Sequence, residues 1–212
     1  MQIALIGASG FIGSALLKEA LARGHFVRAL VGRPERLEPH ERLEALKADV
    51  FDEAALTQAL RGRDAVISAF SGHAAENVRE HYILGLKAIV ASVKSAGVPR
   101  FLVVGGAGSL EVAPGRQLVD TPDFPAQWQA SALGARDALN LMREEKALDW
   151  TMLSPSAYIH PGERTGTFRL GDDRLLVGVD GKSEISTQDY AVAMLDELER
   201  PAHSRRRFTV GY

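Results

Sequence analysis

The first thirteen residues, Met1-Gln-Ile-Ala-Leu-Ile-Gly-Ala-Ser-Gly-Phe-Ile-Gly13, restrict the possible folds more than any other stretch of the chain. Residues 2–6 are an apolar run of strand length that stops at Gly7. Glycine then returns every third residue, at Gly10 and Gly13, and leads into a helical pattern over residues 14–22. A strand, a glycine turn and a helix in that order make a cradle for a diphosphate. Gly7 permits the sharp turn, Gly10 lets a phosphate approach the backbone, and Gly13 lets helix and strand pack closely. The helix amino end presents its free N–H groups to the anion. The spacing is GxxGxxG rather than GxGxxG, and the flanking strand and helix give the three glycines their meaning. Gly7, Ala8, Ser9, Gly10, Phe11, Ile12 and Gly13 are thus the expected cradle.

The pattern of a strand followed by a helix then repeats. Strands are expected at residues 26–31, within 43–48, and at 64–70, 100–104 and 149–154, with a last one at 208–210. Helices are expected at 53–60 with Asp52 as cap, at 76–95, at 133–145 and at 190–198. A short helix is expected between 35 and 46, interrupted by Pro39. Residues 109–127 hold three prolines and little periodicity, which reads as a long functional loop. Residues 167–170 and 174–177 read as a hairpin around Gly171-Asp-Asp173. Ser186-Thr-Gln-Asp189 is a capping box in outline, with Asp in place of Glu. Five such units with right-handed crossovers give an α/β fold, a Rossmann-type doubly wound parallel sheet with helices on both faces. Residues 1–212 are expected to form a single domain, with about 155–187 as a small C-terminal substrate-side cap.

Composition narrows the partners. The chain has 212 residues, 46% hydrophobic and 25% charged, which suits one globular domain with a substantial core. It contains no cysteine, which excludes disulfides and thiolate metal sites and is compatible with a reducing cytoplasm. The net charge is −2, and Arg205-Arg-Arg207 is the one basic block, so nucleic acid is not the expected partner. With a strand opening the sequence, no leader is expected, and no apolar run approaches the roughly 20 residues that span a bilayer. A cytoplasmic protein without a membrane partner, either monomer or homodimer, is expected. The six histidines are scattered and no HExxH occurs, so no metal site is expected.

In a doubly wound sheet the ligand lies across the carboxyl ends of the strands. An NAD site would place a carboxylate roughly 20 residues past the glycines to accept from the ribose hydroxyls. Between Glu19 and Glu35 there is no acidic residue. Arg33 stands at that strand end instead, where a guanidinium can clamp a 2′-phosphate. NADP(H) is therefore favoured, with NAD(H) as the other possibility. Asp49 is placed to accept from the adenine amino group, with Val50 covering the ring. Ala69, Phe70 and Ser71 line the adenosine side, and Gly105 and Gly106 follow the fifth strand.

These residues resemble a known group. Gly7-Ala-Ser-Gly-Phe-Ile-Gly13, Ala48-Asp-Val50 and Val103-Val-Gly-Gly-Ala-Gly-Ser109 look like the NAD(P)H-binding, atypical short-chain dehydrogenase/reductases. The branch most similar contains biliverdin/flavin reductases and NADH-flavin reductase-like proteins, with NmrA-like proteins further off. Leu153-Ser-Pro-Ser-Ala-Tyr-Ile-His-Pro-Gly-Glu-Arg-Thr-Gly166 and Ile185-Ser-Thr-Gln-Asp-Tyr-Ala-Val-Ala193 strengthen the likeness, which covers nearly the whole chain. It implies that Pro155, Ser156, Ala157 and Tyr158 lie beside the nicotinamide and that the 109–127 loop borders the substrate.

One departure bears on the reaction. Ketone-reducing members of the superfamily usually carry Tyr-x-x-x-Lys on the helix after the fifth strand, and here that region reads Trp128-Gln-Ala-Ser-Ala-Leu-Gly-Ala135. Without that placed proton donor, acceptors whose reduced form takes its proton readily from water become the expected substrates. Flavins, quinones and linear tetrapyrroles are of that kind. Ser109 and Tyr158 are the candidate catalytic residues, with His160 nearby. Two other readings compete: a non-catalytic NmrA-like dinucleotide sensor, and a relative of sugar-nucleotide epimerases or dehydratases.

Overall fold

In the computed structural model, which describes residues 1–74 and 76–212, the chain alternates strand and helix along most of its length. The strands are β1 (Gln2–Ile6), β2 (Phe26–Val31), β3 (Leu43–Lys47), β4 (Ala65–Ser68), β5 (Arg100–Val104), β6 (Glu111–Ala113), β7 (Arg116–Gln117), β8 (Asp149–Ser154), β9 (Tyr158–His160), β10 (Arg169–Gly171), β11 (Glu184–Ser186) and β12 (Arg206–Gly211). The helices are α1 (Phe11–Ala22), α2 (Glu53–Leu60), α3 (Val78–Ala96), α4 (Ala126–Glu144) and α5 (Thr187–Glu199).

The main sheet has the order β10-β12-β8-β5-β4-β1-β2-β3. Every pairing in it is parallel except the β10–β12 edge. Its inner strands are nearly continuous apolar runs because both faces are covered. Along β1, Ile3 and Leu5 join one core, with Leu16 and Ala20 of α1 and Tyr190 and Leu195 of α5. Ala4 and Ile6 join the other, with Leu56 of α2, Ile89 of α3 and Leu139 of α4. The chain adds β2 and β3 on one side of β1 and β4 and β5 on the other, so the winding order reverses between the parallel strands β1 and β4, the switch point at whose carboxyl rim such sheets bind ligands.

Local signals fixed the helix starts that bear on this rim. Asp52 accepts from the Ala55 N–H at 3.0 Å and starts α2. Ser186 Oγ accepts from the Asp189 N–H at 2.9 Å and starts α5. The reciprocal half of that box is absent, because the Asp189 carboxylate instead accepts from Thr165 Oγ1, Gly166 N–H and Tyr212 OH.

Four expectations are corrected. α4 begins at Ala126 rather than 133, since residues 126–130 are all exposed and leave no apolar periodicity to read. Within the expected 109–127 loop, β6 and β7 pair antiparallel around Pro114-Gly115. Between 35 and 46 only a short 3-10 turn, Pro34–Arg36, forms before β3. The 167–177 hairpin does not form: β10 pairs with β12, and Arg174 bridges to Glu111. The open edge of β12 offers a full ladder, and the nearby turn does not compete with it.

Candidate functional site

The glycine turn sits at the reversal point of the sheet. Gly7 has φ +79°, and a Cβ there would lie 2.8 Å from the Ala69 carbonyl oxygen, so the turn and the end of β4 are in close approach. A Cβ at Gly13 would lie 2.0 Å from the Gly7 carbonyl oxygen, so no larger residue fits without moving helix or turn. That same carbonyl accepts from the Gly10 N–H at 3.0 Å and closes the turn. Gly10 caps α1 without a side-chain hydrogen bond, and the first turn of α1 carries no acidic residue. Among the described residues, the N–H groups of Phe11, Ile12 and Gly13 have no hydrogen-bond acceptor. Three aimed donors at the positive end of a helix dipole are the chemistry that a diphosphate requires. The cradle therefore fits a dinucleotide. Ala8 is buried in the core beneath it, Ile12 is half-buried, and Ser9 and Phe11 are exposed.

On the side of the turn toward β2 and β3, Arg33 follows β2 and is exposed, and its side chain makes no hydrogen bond or ion pair among the described residues. Asp49 follows β3 and accepts from the Phe51 N–H at 3.0 Å, while Val50 is buried. Ala69 and Phe70 follow β4 and are half-buried, and Ser71 is exposed. The Phe70 ring turns toward α3, where a Cβ on Gly85 would lie 2.3 Å from it, and it packs near Tyr82 and His81. Its backbone rather than its ring thus faces the glycine turn.

At the other end, the Gly105 N–H donates to the Leu153 carbonyl at 2.8 Å, tying the ends of β5 and β8 together. Gly106 lies against Ala135 of α4. Ser109 ends a 3-10 turn and is only 3% exposed; its Oγ accepts from Arg207 Nη1 at 3.3 Å. Pro155 is buried. Ser156 is buried and donates to the Val210 carbonyl at 2.9 Å, and Ala157 is exposed. Tyr158 is 62% exposed, and its ring stacks on His160 with centroids 5.0 Å apart.

Sequence reasoning missed several residues here. Tyr82 and Tyr190 are buried, with hydroxyls that donate to the carbonyls of Val104 (3.2 Å) and Leu153 (2.7 Å). Burial pushes both hydroxyls up, so they stay protonated and brace the ends of β5 and β8. Trp128, on the first turn of α4, is 53% exposed. Arg207 was legible only as part of a basic block, yet its guanidinium is buried beneath Ser109, and desolvation lowers its pKa against the opposing pull of Asp173. Neither tyrosine nor lysine occurs on α4. Among the described residues no group of three or more His, Asp or Glu is placed to hold a metal, and no helix is long and apolar enough to cross a membrane. A groove between α3 and α4, lined by Lys87, Val90, Leu141 and Glu145, contains none of the rim residues.

Comparison with known proteins agrees with this geometry. Protein YwnB of Bacillus subtilis (strain 168), itself uncharacterized, is 40% identical over 213 residues, covering 99% of this chain and 98% of YwnB. A solved structure of a candidate epimerase from Bacteroides thetaiotaomicron is 46% identical with a TM-score of 0.92, covering 100% of this chain and 96% of that one. The solved structure of SP1627, a candidate NADH-flavin reductase from Streptococcus pneumoniae TIGR4, is 37% identical with a TM-score of 0.84, covering 100% and 99%. The family described as NAD(P)H-binding matches residues 7–201. The chain belongs to the NAD(P)H-binding family.

Proposed function

We propose that this chain is an NADPH-preferring oxidoreductase that reduces a planar conjugated acceptor of the flavin, quinone or tetrapyrrole type. The observation that carries the proposal is the amino end of α1, uncapped by any side chain, with three N–H groups that have no partner among the described residues, at the reversal point of the sheet. In this reading residues 7–13 hold the diphosphate and Arg33 reads the 2′-phosphate. Asp49, Val50, Ala69, Phe70 and Ser71 flank the adenosine. Gly105, Gly106, Pro155, Ser156, Ala157 and Tyr158 flank the nicotinamide. A reduced nicotinamide bound there supplies the hydride.

The rest of the chain binds and orients. Phe11, Trp128 and Tyr158 are exposed aromatics on three segments that all begin at the carboxyl rim, and they offer flat apolar faces to a flat substrate. The Ser109 hydroxyl, its oxygen held as acceptor by Arg207, keeps its hydrogen for an acceptor carbonyl. Without a Tyr/Lys pair, the proton comes from solvent. We treat residues 1–212 as one domain, with 155–187 on the substrate side. A cytoplasmic setting belongs to the same proposal, since a chain without cysteine needs no oxidising compartment.

Stopped-flow mixing of the NADPH complex with FMN, riboflavin or a quinone tests this, with oxidation of bound NADPH as the expected result. The competing sensor reading is favoured by the missing Tyr/Lys pair; it requires similar affinity for oxidised and reduced cofactor and no turnover with any acceptor.

A further inference from the structure

We propose that Arg207 is a positioning residue: it aims the Ser109 hydroxyl and, through Asp173, fastens the 169–177 segment to the loop after β5, making one wall against the acceptor. This rests on the reductase reading of the same rim. Arg207 stands opposite Met152 in the β8–β12 register, on the sheet face that carries α4. Its side chain is 2% exposed. Nε donates to Asp173 Oδ1 at 2.8 Å, and Nη2 pairs with the same oxygen. Nη1 donates to Ser109 Oγ and to Ser154 Oγ, each at 3.3 Å. One planar fork thus joins the loop after β5, the end of β8 and the 169–177 segment.

The join is reinforced by the backbone. The Glu111 N–H donates to the Asp173 carbonyl at 2.8 Å, and the Leu175 N–H to the Glu111 carbonyl at 3.0 Å. Arg143 of α4 adds a further bond to Asp173 at 3.2 Å. An aliphatic side chain would fill this strand position at less desolvation cost, whereas only a guanidinium holds a carboxylate and two hydroxyls in fixed directions. Among the described residues Ser109 Oγ donates to no acceptor. One of its two lone pairs faces Arg207, which directs its hydrogen away from the guanidinium and leaves that hydrogen unspent in a nearly closed space.

The test uses the full chain and the variants Arg207→Met, Arg207→Lys, Asp173→Asn, Ser109→Ala and the Ser109→Ala/Arg207→Met double. Amide exchange is expected to rise together in residues 107–120 and 169–177 of Arg207→Met and Asp173→Asn, with the peptide containing residues 7–13 unchanged. The NADP⁺ dissociation constant stays within about twofold of wild type, while kcat/KM for FMN falls on the order of 10- to 100-fold in Arg207→Met. The double variant is no worse than the poorer single, since Arg207 acts through Ser109. Arg207→Lys restores exchange protection through Asp173 but recovers only part of kcat. Asp173→Asn, which changes a half-exposed group, covers the case in which Arg207→Met fails to fold. Unchanged exchange in both segments overturns the joint, and fully additive losses in the double variant overturn the action through Ser109. If wild-type protein oxidises no NADPH with any acceptor, the reductase reading and the aiming of Ser109 fail together, and exchange still decides whether Arg207 joins the two segments.

Discussion

Replacing Arg33 by alanine separates the two coenzymes. Arg33 lies two residues past β2, and its side chain is exposed without a protein partner among the described residues, so truncating it disturbs no packing. An exposed substitution of this kind changes stability by no more than about 0.5 kcal/mol, and thermal melts of the two proteins should overlay closely. A charge-assisted bond to a phosphate contributes about 1.5–3 kcal/mol. NADPH affinity should therefore fall by about 10- to 150-fold. NADH lacks the 2′-phosphate and should bind almost as before. Exposure places the loss nearer the lower end at physiological salt, and the discrimination should shrink further as salt is raised. Titration calorimetry with both reduced coenzymes at two ionic strengths measures each quantity. Equal losses for NADPH and NADH, or no loss for either, would show that Arg33 does not read the 2′-phosphate.

Three other perturbations probe separate parts of the fold and site. Gly13→Ala places a Cβ 2.0 Å from the Gly7 carbonyl oxygen, so it should destabilise the protein by about 1–3 kcal/mol and abolish binding of both coenzymes alike, read by melts and calorimetry. Glu19 is held below its ordinary carboxylate range by its bonds to Arg164 and Arg23, which outweigh burial; stability from this group is present above about pH 4.5 and is lost as pH falls through the lowered folded value. Glu19→Gln should therefore flatten the acid limb of a melting-temperature profile below about pH 5, and an unchanged slope would remove Glu19 from acid unfolding. Tyr158→Ala should raise KM for a flavin acceptor about fivefold, from a lost stacking contact near 1 kcal/mol, while Tyr158→Phe should leave it unchanged; a loss in the Phe variant would move the role from ring to hydroxyl.

Which features were legible depended on how local their causes are. The glycine turn, the Asp52 and Ser186 caps and the span of β8 each rest on a few adjacent residues, and the structure reproduces them. The start of α4 was missed because its first five residues bury nothing, so helix there is set by backbone and not by an apolar stripe. The 167–177 hairpin was wrong because strand pairing is a contest between partners, and β12, nearly forty residues on, offers β10 the better edge. The three arginines 205–207 show the same limit. Arg205 takes a left-handed φ of 55°, Arg206 is exposed, and Arg207 is buried as the joint under Ser109. Only strand register, which no local pattern supplies, assigns them these different surroundings.

The central claim is that the uncapped amino end of α1 grips the diphosphate of a pyridine nucleotide at the sheet rim. Titration calorimetry of the full chain with NADPH, NADP⁺, NADH and NAD⁺ tests it most directly. Saturable binding of one nucleotide per chain, tighter for the 2′-phosphorylated pair, is the predicted result. Flat thermograms with all four at millimolar concentration would contradict it.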